Sequence, residues 1–216
     1  MTDALLFDMD GVLLRGRQTD RSIYETAARV VLRELGADPD AALVDALVEP
    51  GDVSVVRHHC GRAGVDPERA WRRREVVAHE LAADAIRAGR RSPYPDVDAL
   101  HDVDRPTGIV SNNRHATVQF VADHFDLPAR VVRGRDPTLR GYERLKPDPH
   151  YLETTLADLG VDDAVYVGDR HTDVVAADRA GLDAVLLERP DTDPGTPADV
   201  DPAARIAGLD ELAGVA

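Results

Sequence analysis

Leu5-Leu6-Phe7-Asp8-Met9-Asp10-Gly11-Val12-Leu13 decides how this chain is read: an unbroken apolar run ends in two carboxylates one residue apart and then a glycine. A short run of large apolar residues without helical spacing is the pattern of a strand buried on both faces. In an open sheet of parallel strands, ligands gather beyond the carboxyl ends. Asp8 and Asp10 are therefore expected at such an end, with Gly11 letting the backbone turn away. Carboxylates held there are costly to bury alone and suit a hard cation and an electrophile. A calcium loop starting at Asp8 is excluded. It needs an Asp or Asn, a Gly and a Glu where the chain has Val12, Leu13 and Thr19. A surface turn stays open on local sequence alone, since Asp and Gly favour turns.

A chain of 216 residues with a hydrophobic fraction of 43% is long enough for one substantial core carrying a smaller inserted domain. It has no apolar stretch of membrane-spanning length and no secretory leader pattern at its start, so a cytoplasmic location is expected. The single cysteine, Cys60, forbids an internal disulfide and fits a reducing compartment. A net charge of −14 repels nucleic acid and anionic membranes, so neither is expected as a partner. The acid is spread along the chain, as on a strongly hydrated surface. With one lysine among 26 basic residues, this composition points to a halophilic source. The lone lysine, Lys146, is informative because arginine serves everywhere else. A compact ammonium fits between a carboxylate and a phosphate where a guanidinium fork does not.

After Leu13 a helical period takes over for about eighty residues. Ile23, Ala27, Val30 and Val31 share a face that stops at Gly36. Asp40 to Val48 forms a second helix, Asp52 to Ala63 is ambiguous, and a longer helix opens at Asp66-Pro67 with Trp71, Ala78, Leu81 and Ala85 on one side. An all-helical block between two α/β stretches reads as an inserted domain. Within it, His58, His59 and Cys60 point about 100° apart on a helix and do not converge on a metal. Arg72-Arg73-Arg74 reads as a solvated helix face.

Pro93 and Pro95 close the block, and a short helix from Asp96 to His101 follows. Thr107-Gly108-Ile109-Val110-Ser111-Asn112-Asn113 is a second apolar strand ending in polar residues. Asn113 is expected to cap the next helix, placing Ser111 and Asn112 at a helix N-terminus that welcomes an anion. Ala129 to Val132 is a short third strand. A polar loop with Gly134, Pro137 and Gly141 leads to Lys146, just before a helix that starts at Asp148-Pro149 and carries Leu152, Leu156 and Leu159. Ala164-Val165-Tyr166-Val167-Gly168-Asp169 is a fourth strand ending in an acid, with Asp173 opening the next helix. Asp183 to Leu187 is a fifth strand. An exposed connection runs to Pro202, and a short strand and helix finish the chain.

The acids, the serine and the lysine at these strand ends resemble, in order and chemistry, the four motifs of the haloacid dehalogenase superfamily, over residues 4–14 and 94–188. The resemblance implies an α/β fold: a Rossmann-like parallel sheet core flanked by helices, residues 1–14 and 94–216, with an all-helical cap at 15–93. Ser111 follows Asp10 by 101 positions, whereas Lys146 follows Ser111 by 35, so the cap lies between the first and second motifs. In that placement the chain resembles the phosphoglycolate phosphatase and β-phosphoglucomutase-like group. By the same resemblance Asp8 is the nucleophile and Asp10 the general acid and base. Ser111 binds the phosphoryl group with help from the Asn112 backbone, and Lys146 holds Asp8 and the phosphate. Mg²⁺ is the implied cofactor, held by Asp8, Asp10 through its carbonyl, Asp169 and Asp173. Dehalogenases of this superfamily lack an acid at the place of Asp10, and its phosphonatases add a cap lysine that this chain lacks.

The expected activity is a Mg²⁺-dependent phosphatase acting on a small phosphomonoester through an aspartyl-phosphate on Asp8. The alternatives are a phosphomutase of the same fold and a non-catalytic module that binds a phosphorylated ligand. Arg170 and His171 after Asp169, and Arg15 after the first motif, depart from the commonest pattern and bear on substrate choice. Monomer and homodimer are equally compatible with the sequence.

Overall fold

In the computed structural model, which describes residues 2–16, 19–196 and 199–214, the opening apolar run becomes a strand with all four residues buried. The strands are β1 (Ala4–Phe7), β2 (Thr107–Arg114), β3 (Val131–Arg135), β4 (Ala164–Gly168), β5 (Asp183–Leu187) and β6 (Ala204–Ile206). The helices are α1 (Arg21–Glu34), α2 (Ala41–Val48), α3 (Val53–Arg62), α4 (Pro67–Arg87), α5 (His115–His124), α6 (Leu139–Glu143), α7 (His150–Leu159) and α8 (His171–Arg179). All six strands join one sheet in the order β3-β2-β1-β4-β5-β6, and every neighbouring pair is parallel. Parallel strands need crossover connections and are covered on their faces, which explains their continuous apolar sequences. On one face, Leu6, Val110, Tyr166 and Leu186 pack with Leu152 of α7 and Val174 of α8.

The chain forms two compact units. One comprises Met1–Gln18, Arg91–Arg135 and Arg144–Ala216, and the other Thr19–Arg90 with Asp136–Glu143. The second is all helical. Ala28 and Leu32 of α1, Leu43 and Leu47 of α2, Val56 of α3 and Trp71 of α4 form its core. Asp20, Asp40, Asp52 and Asp66 each cap a helix by accepting a backbone N–H, so the abundant aspartate starts these helices locally.

The observed division differs from the expected boundaries at 14 and 93 in one substantial way. Helix α6, read from sequence as part of a polar loop, belongs to the helical unit. Its Leu139 is buried in that unit's core, and Tyr142 meets Trp71 edge-on with ring centroids 5.1 Å apart. Three smaller readings are refined. The third strand begins at Val131 rather than Ala129, and the ambiguous stretch after Asp52 is helical. The segment Pro95–Asp102 is a 3₁₀ helix. The arginine run is not uniformly solvated either: Arg74 is buried, 2.5 Å from the Glu75 carboxylate and stacked over the Trp71 ring at 3.8 Å. Among the described residues no helix is long and apolar enough to cross a membrane.

Candidate active site

Asp8 follows the last residue of β1, and its N–H donates to the Val167 carbonyl of β4 at 2.9 Å. The chain then folds back tightly, with the amides of Leu13 and Leu14 both donating to the Met9 carbonyl at 3.0 and 2.8 Å. Gly11 sits at φ +90°, and a side chain there would collide with the Asp169 carboxylate. Glycine is thus needed twice, for the backbone angle and for the acid packed against it. Gly168 serves Asp173 in the same way, because a Cβ would occupy the place of the Asp173 side chain.

Lys146 is buried among these acids. Its Nζ lies 2.9 Å from Asp8 Oδ1 and 2.7 Å from Asp173 Oδ1, and it donates to the Tyr166 hydroxyl at 2.5 Å. That hydroxyl donates in turn to the Val110 carbonyl at 2.9 Å. Burial alone would push the ammonium pKa down, but Asp173 and Asp8 outweigh it and hold the group above its ordinary value. The backbone of Lys146 is fixed by Asn112, whose side chain accepts from the Lys146 N–H at 2.8 Å and donates to its carbonyl at 3.2 Å. In this structure the Asn112 side chain therefore positions the lysine.

Ser111, at the carboxyl end of β2, is buried, and its Oγ accepts from the Asn113 N–H at 3.2 Å. Asn113 does not cap the following helix as expected. Strand β2 runs on through Arg114, which is the residue at the start of α5 and makes no side-chain cap. The Asn113 side chain instead donates to Asp10 Oδ2 at 2.8 Å. The other oxygen of Asp10 is 2.8 Å from the Arg91 guanidinium. Burial raises the Asp10 pKa, Arg91 opposes this and Asp8 adds to it, with a net displacement above the ordinary range.

Asp169, one residue beyond β4, is fully buried, and neither carboxylate oxygen receives a hydrogen bond from the described residues. Burial, reinforced by Asp8 and Asp173, pushes its pKa up to about 8. Asp8, Asp169 and Asp173 each offer an oxygen within 4.8 Å of the others. Two bare, buried oxygens beside two more carboxylates suit a hard divalent cation such as Mg²⁺. Asp173 is the more committed acid, since it pairs with Lys146 and accepts from the Arg170 N–H at 3.1 Å at the start of α8. Its pKa is raised as well, chiefly by burial.

Sequence reasoning missed Asn113, Tyr166 and Arg91 as members of this cluster. Tyr166 left a faint signal as the one hydroxyl in a buried apolar strand. Arg91 left none, being one of many arginines.

A comparison with family models matches residues 2–181 to the haloacid dehalogenase-like hydrolases. The chain belongs to that family. Solved structures agree on the fold of this haloacid dehalogenase-like hydrolase. CbbY from Rhodobacter sphaeroides, in complex with phosphate, is 19% identical with a TM-score of 0.65, over 100% of this chain and 99% of that one. A putative phosphoglycolate phosphatase from Lactobacillus plantarum is 20% identical with a TM-score of 0.59 over the same shares. A predicted phosphoglycolate phosphatase from Haemophilus somnus is 16% identical with a TM-score of 0.60, over 99% of this chain and 97% of that one. A comparison with curated protein sequences finds no match.

Proposed function

We propose that this hydrolase is a phosphatase for a small phosphomonoester, with Asp8 as nucleophile and Asp10 as general acid and base. The observation that carries this reading is the pair of differently dressed acids after β1. Asp8 is paired with Lys146, while Asp10 is held at both oxygens by Asn113 and Arg91. Resembling dehalogenases have no acid at the second place. Two carboxylates in different environments divide nucleophilic and proton-transfer work between them.

In the first step a carboxylate oxygen of Asp8 attacks phosphorus and the ester P–O bond breaks. The leaving oxygen takes the proton from Asp10. In the second step water attacks the aspartyl-phosphate and gives its proton to Asp10, releasing inorganic phosphate and the Asp8 carboxylate. Lys146 reduces the repulsion between the anionic nucleophile and the phosphate, and the Ser111 hydroxyl would hold a phosphoryl oxygen. Asp8, Asp169 and the Asp10 carbonyl would hold Mg²⁺, with Asp173 directly or through water. When bound, the ion supplies charge neutralisation at the phosphoryl group. Sugar phosphates and phosphoglycolate are the leading substrates.

The test is phosphate release from a panel of such esters, with and without Mg²⁺. Release is expected to require the metal and to fall at least about 10³-fold in Asp8→Asn. Undiminished turnover by Asp8→Asn would remove the nucleophile assignment. Interconversion of sugar phosphates without net release would favour a mutase.

A further inference from the structure

Arg91 is where the chain returns to the sheet unit from the helical one, and its guanidinium is used on three sides. Nε donates to the Arg15 carbonyl at 2.9 Å, Nη2 donates to the Gly16 carbonyl at 2.8 Å, and Nη1 lies 2.8 Å from Asp10 Oδ1. The two segments it joins are already paired, because Arg15 N–H donates to the Ser92 carbonyl and Tyr94 N–H to the Leu13 carbonyl, each at 3.0 Å. The side chain is 17% exposed and the carboxylate it meets 5%. Three of its five N–H groups are thus committed, and one of the three faces the Asp10 carboxylate. The fork orients one acid.

We propose that Arg91 is a positioning residue for the general acid and base: it fixes the Asp10 carboxylate from the side opposite Asn113, so that the acid points to the leaving oxygen. This rests on the phosphatase reading above. A carboxylate gripped at one oxygen swings about its Cβ–Cγ bond. One gripped at both, by β2 and by the returning segment, keeps a single orientation, and proton transfer depends on that geometry. Arginine is required because its planar fork serves two carbonyls and the acid at once, whereas a lysine ammonium in this place reaches fewer partners.

The test separates proton delivery from the rest of the reaction by leaving group. For an alkyl phosphomonoester the departing oxygen needs a proton, whereas 4-nitrophenolate leaves readily without one. Because kcat/KM covers only the steps through departure of that group, Arg91→Gln is expected to lower it about 10²-fold for the alkyl ester. For 4-nitrophenyl phosphate it should change less than about tenfold. Arg91→Lys should fall between, and guanidinium ion should restore part of the alkyl-ester activity of Arg91→Ala. Equal losses on both esters, or no loss on either, would overturn the assignment. Asp8→Asn is the control that loses both esters alike. A wild-type enzyme inactive on both would bring down the phosphatase reading and this inference with it. Should Arg91→Gln fail to give a cooperative melt, Arg91→Lys carries the same two-ester comparison.

Discussion

The bare oxygens of Asp169 make the site sensitive to pH in a way that can be signed. Asp169 ionises near pH 8 in the folded chain, against about 4 when unfolded. Asp10 and Asp173 are displaced in the same direction, with burial as the leading cause. A group raised on folding contributes stability that is fully present below its unfolded value and is lost as pH rises through its folded value. Melting temperatures of the metal-free protein are therefore expected to fall between about pH 5 and about pH 8. Mg²⁺ would bind the carboxylates in their ionised form, so it should raise the midpoint more at the upper end of that window. Asp169→Asn should lose most of this response, and an unchanged Mg²⁺ shift in that variant would take Asp169 out of the metal site. The acids and Lys146 were legible in sequence because each follows an apolar run or stands before a helix start. Asn113 and Arg91 were not. The Asn113–Asp10 hydrogen bond spans 103 positions, and no local period records such a contact.

At the scale of elements, β3 approaches the junction of β2 and α5 closely enough to constrain the site. Gly134 pairs in register with Ser111, and a Cβ there would lie 2.6 Å from His115 Cα and 2.7 Å from the Asn113 carbonyl oxygen. Backbone rather than a pliable side chain has to move. Gly134→Ala is expected to cost about 1–3 kcal/mol in denaturant unfolding and to reduce activity by shifting Ser111. Gly61 in α3 is the matched contrast: it is exposed and helical, with nothing within 4 Å of an added Cβ. Gly61→Ala should stabilise by about 0.5–1 kcal/mol. Equal effects of the two would show that the close approach at Gly134 is not what sets its cost. The strands were readable because parallel strands buried on both faces must be apolar, and the long helices because their faces repeat. Helix α6 escaped, since its five residues are too few for a period and its glycine reads as loop.

The whole molecule carries a net charge of −14, and its repulsion favours any state in which the charges lie further apart. Salt shortens the reach of that repulsion to about 3 Å at 1 M. The melting temperature is expected to rise from dilute buffer to molar potassium chloride, and identical midpoints would show that the acidic excess serves hydration alone. The composition made this legible, whereas the second piece of the helical unit, Asp136–Glu143, needed the structure. That partition bears on modular grafting. The helical unit is encoded in two pieces, Thr19–Arg90 and the later Asp136–Glu143, so it is not a single cassette. A chimera that exchanges only the first piece would leave Leu139 and Tyr142 behind, cut off from the α2, α3 and α4 side chains they were selected to cover. Moving the helical unit from one relative to another means carrying both pieces.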